Sequence, residues 1–214
     1  MKYRKLVENA KKPNGFWGKM MIKAMNKGHS SLTSWGLEHM NIERTATVLD
    51  IGCGGGKNVD RLFSIVANGK VYGIDYSELS VKSSEKLNSK NILCNKAKIL
   101  QASVSDMPFD DNTFDNITAV ETYYFWPDKE NDVKEVFRVL KQGGTVMLLF
   151  EMLRTDDDPF KWEKVENMLN IKSVTPQEIR AVLESAGFEN INTYTKEGTT
   201  WLCATAQKPK GDEN

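Results

Sequence analysis

The amino-acid sequence predicts an α/β fold, a mostly parallel sheet covered by helices on both faces and finished by an antiparallel hairpin. Two observations carry this. From residue 47 onward, short β-branched apolar runs alternate with amphipathic stretches of helical length. The runs are continuously apolar, as strands buried on both faces are. Near the C-terminus, "FENINTYTKEGTTWLCATA" places two strand-like runs around the turn Lys196-Glu197-Gly198, which joins antiparallel neighbours.

The elements follow in order. Residues 1–15 are polar and end in Pro13-Asn14-Gly15, a leader and a turn. Phe16, Met20, Ile22 and Met25 recur at roughly helical spacing up to Gly28, a helix stop. "SSLTSWGLEHM" reads as a second short helix with Ser30 or Ser31 as N-cap. "TVLDIG" (47–52) is the first strand, followed by the helical "KNVDRLFSIVA". "KVYGID" (70–75) is the second, followed by the helix "SELSVKSSEKLNSK" capped by Ser77. "KAKILQAS" and "FDNITAVE" are the third and fourth strands. "KENDVKEVFRVLK" is an amphipathic helix closed by Gly143-Gly144, and "GTVMLLFEM" a fully buried fifth strand. A helix near 159–169 and "TPQEIRAVLESAG", with Pro176 in its first turn, lead to the hairpin. The final "KPKGDEN" is expected to fray.

The 214 residues suit one domain with its own core, without disulfides or a structural metal. Lys plus Arg and Asp plus Glu are equal at 29, a formal net charge of zero. That balance supports neither nucleic-acid binding nor stable membrane association, and favours a small-molecule ligand. Cys53, Cys94 and Cys203 lie far apart without metal-ligand spacing, so no metal is expected. The chain lacks an apolar run near 18 residues, and its basic start lacks the apolar stretch of a signal peptide, so a cytoplasmic location is expected.

"VLDIGCGGGKNVDRL" is the most informative stretch. A buried strand ends in Asp50 and runs through Gly52, Gly54 and Gly56 into a helix. Such a turn lets backbone approach a ligand and presents amide N–H groups at a helix N-terminus. The dinucleotide pattern G-x-G-x-x-G needs glycine at 57 or 59, where Lys57 and Val59 stand. The acid ahead of the first glycine suits a cationic amine, such as that of S-adenosylmethionine, and would repel a pyrophosphate. Asp75, at the end of the second strand, can accept hydrogen bonds from both hydroxyls of a ribose, and Tyr76 can lie flat on an adenine.

With "GIDYS", "MPFDDNTFDNITAVE", "EVFRVLKQGGTVML" and "AVLESAGF" in order after the glycine loop, the chain resembles class I S-adenosylmethionine-dependent methyltransferases. The likeness is to the group that includes the ubiquinone/menaquinone-biosynthesis enzymes, and it covers roughly residues 46–207. It implies a Rossmann-like seven-stranded sheet with the last strand antiparallel, S-adenosylmethionine as cofactor and an N-terminal lid. The division is then 1–45 lid, 46–207 cofactor-binding domain, 208–214 tail. The resemblance places Asp50 near the methionine amine, the Gly52–Cys53–Gly54–Gly56 loop under the cofactor and Asp75 on the ribose. Where the family carries an Asp contacting the adenine amine, this chain has Ser103. Its hydroxyl can still accept a hydrogen bond and the Val104 amide can serve the ring; Asp106 is the alternative.

Methyl transfer from a sulfonium depends largely on alignment, and needs a general base only when the nucleophile arrives protonated. Candidates are His29, a cap or else a base or cofactor contact, and Glu121, which ends the fourth strand. Glu121 is read as accepting from the cofactor amine, ordering the lid or acting as a base. His39 is read as structural, the methionines near 20 as core, and Trp17 and Trp35 as either core or cage. In "ETYYFWPD" (121–128) four aromatics adjoin at a strand end. Tyr123 and Tyr124 are expected to face cofactor or substrate, and Phe125 and Trp126 to pack back. The expected reaction is methylation of a small, partly aromatic or apolar molecule at O, N or S. A quinone or lipid-precursor methyltransferase and a non-catalytic S-adenosylmethionine-binding protein are the alternatives.

Overall fold

The computed structural model describes residues 13–211. Helices α1 (Gly15–Gly28) and α2 (Ser30–Leu37) precede β1 (Thr47–Ile51), α3 (Lys57–Ile65), β2 (Lys70–Asp75), α4 (Glu78–Leu87), α5 (Ser89–Leu93) and β3 (Ala97–Gln101). Then come β4 (Phe114–Val120), a 3-10 turn (Tyr123–Phe125), α6 (Lys129–Val139), β5 (Leu140–Phe150), α7 (Glu163–Leu169), α8 (Pro176–Ser185), β6 (Glu189–Thr195) and β7 (Leu202–Gln207). The seven strands form one sheet in the order β3-β2-β1-β4-β5-β7-β6. The first five are parallel, and β7 runs antiparallel between β5 and β6. The expected seven-stranded sheet with its antiparallel hairpin is therefore present. Strand order reverses between β1 and β4, which opens a crevice beyond their carboxyl ends.

Local signals explain most boundaries. Ser77 accepts the Ser80 N–H and caps α4 as expected. Asp128 does the same for α6, and Thr175 with Glu178 forms a capping box ahead of Pro176 at α8. The central strands bury Val48, Leu49, Ile51, Phe114, Ile117, Leu148 and Leu149 almost completely.

Four expectations need correction. The N-cap position of α2 is His29, not Ser30 or Ser31, and no side chain caps that helix. Gly143 and Gly144 do not close α6: β5 already begins at Leu140. The pairing with β4 shifts there, from Phe114↔Leu140 to Asn116↔Thr145. Gly143 has φ +75, and a Cβ on Gly144 would lie 2.9 Å from the Asp115 carbonyl, so the pair forms a bulge where side chains do not fit. On α1, Ile22 is buried, but Met20 is 51% exposed and Phe16 and Trp17 are exposed too, so its outer face is not core; the Met25 side chain lies outside the described residues. The tail does not loosen at 208. Lys208 is buried, and its ammonium donates to the carbonyls of Phe137 and Leu140 and to Asn112 Oδ1. Residues 1–12 and 212–214, assigned above to leader and tail, lie outside the described residues.

α2 is seated on the sheet, with Leu32 packed among Met147, Leu149 and Cys203. Gly36 permits this contact, since a Cβ there would come within 2.7 Å of Leu149. His39 stacks on Tyr194 at 4.0 Å between ring centroids, the structural part expected of it. Trp35 packs beside Trp201 and His39 and so belongs to this packing.

Candidate active site

A cavity of about 700 Å³ fills the crevice. The ends of β1, β2 and β4 form its floor, and Pro13, Ile22, His29, Ser30 and Thr33 of the N-terminal segment roof it. Hydrogen bonds hold the roof down: Ser77 Oγ donates to the Pro13 carbonyl at 3.0 Å, and Arg61 donates to Ser30 Oγ at 2.8 Å and to the Ser30 carbonyl at 3.1 Å.

Asp50 lies at the bottom, 2% exposed. Strand pairing sets it opposite Thr118, whose hydroxyl donates to Asp50 Oδ1 at 2.8 Å; Asn58 Nδ2 donates to the same oxygen at 2.8 Å. Burial pushes the Asp50 carboxyl up to about 6, and those two donors oppose the shift. Asn58 Oδ1 is buried without a hydrogen-bond partner. An acid and an orphaned amide oxygen together form an acceptor set short of donors, which an ammonium group would satisfy.

Asp75 organises the glycine loop. Its two oxygens accept the Gly54 N–H at 2.9 Å and the Ser77 N–H at 2.8 Å, while burial raises its pKa. Three of the four loop glycines serve different ends. A Cβ on Gly52 would strike Thr122 at 2.7 Å. Gly54, at φ +52, faces open space on the cavity wall, the cradle that a ligand backbone contact needs. Gly56, at φ +79, starts α3 but does not line the cavity; it packs on α4, where a Cβ would lie 2.4 Å from Ser84 Oγ. Its assignment to the cofactor surface is thus corrected to helix packing. Cys53 lines the wall, and burial pushes its thiol well up, which makes it a packing residue.

Tyr76, Ser103, Val104 and Glu121 all line the cavity, and Asp106 does not. Asp50, Gly52, Cys53, Gly54 and Asp75 complete the expected cofactor set, so all of it except Gly56 converges here. His29 and Glu121 also arrive. Glu121, at φ +57, accepts the Glu151 N–H, and burial pushes its carboxyl up to about 8.

The aromatic run is placed the other way round from the expectation. Tyr123 and Tyr124 are each 5% exposed and pack edge-on against Phe150. Phe125, Trp126 and Pro127 form the cavity wall. The 3-10 turn immediately after β4 reverses the facing, and Trp126 Nε1 is held by Thr122 Oγ1 at 2.9 Å. Asn58, Arg61, Thr118 and Thr122 were not singled out by sequence, and Ser30 was read only as a helix cap. Only Asn58, in the first turn of the helix that follows the glycine loop, carried a positional signal.

A doubly wound sheet of this order, with an acid before its glycine loop and a second acid ending β2, defines a Rossmann-like nucleoside-binding protein of the methyltransferase class. The comparisons agree. The family described as "Methyltransferase domain" matches residues 49–148. An uncharacterized methyltransferase of Bacillus subtilis is 27% identical over 183 residues, 85% of this chain and 93% of that protein. A ubiquinone/menaquinone biosynthesis C-methyltransferase of Cronobacter sakazakii is 31% identical over 181 residues, covering 73% of this chain and 72% of that protein. Among solved structures, a Haemonchus contortus phosphoethanolamine N-methyltransferase in complex with S-adenosylhomocysteine superposes with a TM-score of 0.76 at 13% identity. That match covers 97% of this chain and 60% of that one. The chain belongs to the class I S-adenosylmethionine-dependent methyltransferases. S-adenosylmethionine is its cofactor.

Proposed function

We propose that the protein methylates a small, partly aromatic or apolar molecule bound beneath the N-terminal roof. The observation that carries this is the continuity of one cavity from the acid-lined glycine loop to the Phe125–Trp126–Pro127 wall. S-adenosylmethionine supplies a methyl group on a sulfonium, a good leaving group. Asp50 and the Asn58 amide oxygen take its ammonium group, and the Gly52–Gly54 backbone lies under the cofactor. Asp75 takes the ribose hydroxyls, Tyr76 covers the adenine, and Ser103 with Val104 meets the adenine edge. Glu121 shapes the acceptor end from the close of β4. Residues 13–45 form the roof that positions the acceptor and excludes water, and residues 46–207 the cofactor-binding domain.

The apolar members of the wall, Ile22, Val120, Phe125 and Trp126, favour a quinol or lipid-precursor acceptor as the second reading; the relative from Cronobacter sakazakii is named for quinone biosynthesis. Three free thiols, two of them buried, support a reducing cytoplasm. No helix among the described residues is long and apolar enough to cross a membrane. The test is a labelled-methyl transfer screen across phenols, amines, thiols and quinols, paired with calorimetry of S-adenosylmethionine. Transfer to one of these classes is expected; tight cofactor binding with transfer to none of them would support a non-catalytic binding protein instead.

A further inference from the structure

We propose that His29, paired with Glu151, is the general base of this site and that the acceptor is a phenolic or hydroquinone hydroxyl. This rests on the methyl-transfer reading above and narrows its acceptor class. Three distant pieces of chain meet at one end of the cavity: the start of α2, the end of β4 and the end of β5. They bring together His29, Glu121 and Glu151, whose ligating atoms all lie within 4.8 Å of one another. His29 Nε2 is 3.9 Å from Glu151 Oε2, which puts a carboxylate beside the imidazole on the cavity wall.

The geometry is held from both sides. The His29 carbonyl accepts the Thr33 N–H at 2.9 Å and the Thr33 hydroxyl at 2.7 Å, which anchors the residue to the first turn of α2. On the sheet side, the Glu151 N–H donates to Glu121, and the Glu121 N–H donates to the Leu149 carbonyl. The charged and titratable groups around His29 are Glu151 just after β5, Glu121 just after β4, Tyr124 from the 3-10 turn behind Glu121, and Arg61 from α3, which grips Ser30. Burial lowers the His29 pKa, and Glu151 partly offsets this. The imidazole is therefore neutral near neutral pH, as a base must be. Glu121, pushed up to about 8, keeps its proton there and does not compete for the role.

The hydroxyl proton passes to His29 Nε2, and the acceptor's electron pair forms the bond to the methyl carbon. The carbon–sulfur bond breaks with its pair left on sulfur. The imidazolium, stabilised by Glu151, then returns its proton to water. Phenols and hydroquinones require this help because most of them are un-ionised at neutral pH, and their proton is acidic enough for an imidazole to take. For a hydroquinone the same deprotonation activates either oxygen or the ring carbon beside it.

The test combines acceptor kinetics with an NMR titration of His29. For an ordinary phenol or hydroquinone, kcat/KM should rise with pH through a midpoint below that of free histidine. His29→Asn should lose on the order of 100-fold in turnover, yet bind S-adenosylmethionine as wild type does by calorimetry. With a nitrophenol already ionised in solution, the same variant should lose little. Glu151→Gln should lower the His29 midpoint in the NMR titration, a readout independent of activity. Equal losses for ordinary and ionised phenols, or an unmoved midpoint in Glu151→Gln, would overturn the pairing. So would loss of wild-type activity on chelation and its recovery with a divalent cation, which would make the three side chains metal ligands. Transfer to amines but never to phenols would sink this inference while leaving methyl transfer intact. Transfer to nothing would sink the broader reading.

Discussion

The Tyr124 hydroxyl accepts the backbone N–H of Met152 at 3.0 Å and points to the Glu121 carboxyl group at 3.5 Å. It thereby ties the end of β5 to the end of β4 without lining the main cavity. Tyr124→Phe should therefore act on stability. It leaves a buried amide unsatisfied, a loss of about 1–3 kcal/mol, readable as a lower urea midpoint at unchanged slope. S-adenosylmethionine affinity should stay near wild type. An unaltered midpoint with a large fall in affinity would show that the phenol faces the ligand after all.

The loop glycines separate binding from folding. Gly54→Ala places a methyl in open cavity at φ +52, so it should fold with a loss of about 1–2 kcal/mol and bind S-adenosylmethionine at least about tenfold more weakly. Gly56→Ala drives a Cβ to within 2.8 Å of the Ser84 Cα. It should lose roughly 2–4 kcal/mol, and whatever remains folded should bind the cofactor nearly normally. Thermal melts with and without cofactor distinguish the two.

Asp50 should make both stability and cofactor affinity depend on pH, in opposite directions. Its folded pKa, raised from 3.8 to about 6 by burial, means that the folded protein holds this proton more tightly than the unfolded chain. The contribution to apo-protein stability is thus full below about pH 4 and is lost as pH rises through about 6, by at most about 3 kcal/mol. Asp75, also raised by burial, adds in the same direction. Bound ammonium favours the ionised carboxylate, so S-adenosylmethionine affinity should increase between about pH 5 and 7. Asp50→Asn should flatten both trends, stabilise the apo-protein near neutrality and weaken cofactor binding. Calorimetry and urea titrations across that pH range check it.

What could be read from sequence divides along local and tertiary lines. The strand–helix alternation, the Ser77 cap and the loop from Asp50 to Gly56 depend on neighbours in the chain, and those were legible. The Asp50–Thr118 contact was not, because it depends on which strand lies beside β1 and in what register. Arg61 on Ser30 and Glu151 beside His29 depend likewise on where the N-terminal segment comes to rest. In residues 121–128 composition pointed correctly to a cavity wall. Which aromatics form that wall was decided by the 3-10 turn, whose rotation no periodicity reports. The bulge at Gly143 and Gly144 was misread as a helix stop because glycines serve both purposes.

Lys208 anchors the chain just beyond β7 to the end of α6 and the start of β5. Its ammonium reaches Phe137 O at 2.7 Å, Leu140 O at 2.9 Å and Asn112 Oδ1 at 2.9 Å, and it lies over the Phe137 ring at 4.6 Å. Those carbonyls belong to the last turn of α6 and the first residue of β5, where a cation also complements the helix dipole. Burial lowers the Lys208 pKa, and the ring of acceptors makes the burial tolerable. Lys208→Met keeps the length of the side chain but removes every donor, leaving the carbonyls to water that the packed site admits poorly. It should cost about 2 kcal/mol, a shift in urea midpoint that grows little further if residues 208–214 are all deleted. A chain ended after Gly211 keeps the anchor and should melt like the full-length protein. If that shorter chain and Lys208→Met lost equal stability, the anchoring would have to come from residues beyond Gly211, and the role given to Lys208 would be wrong.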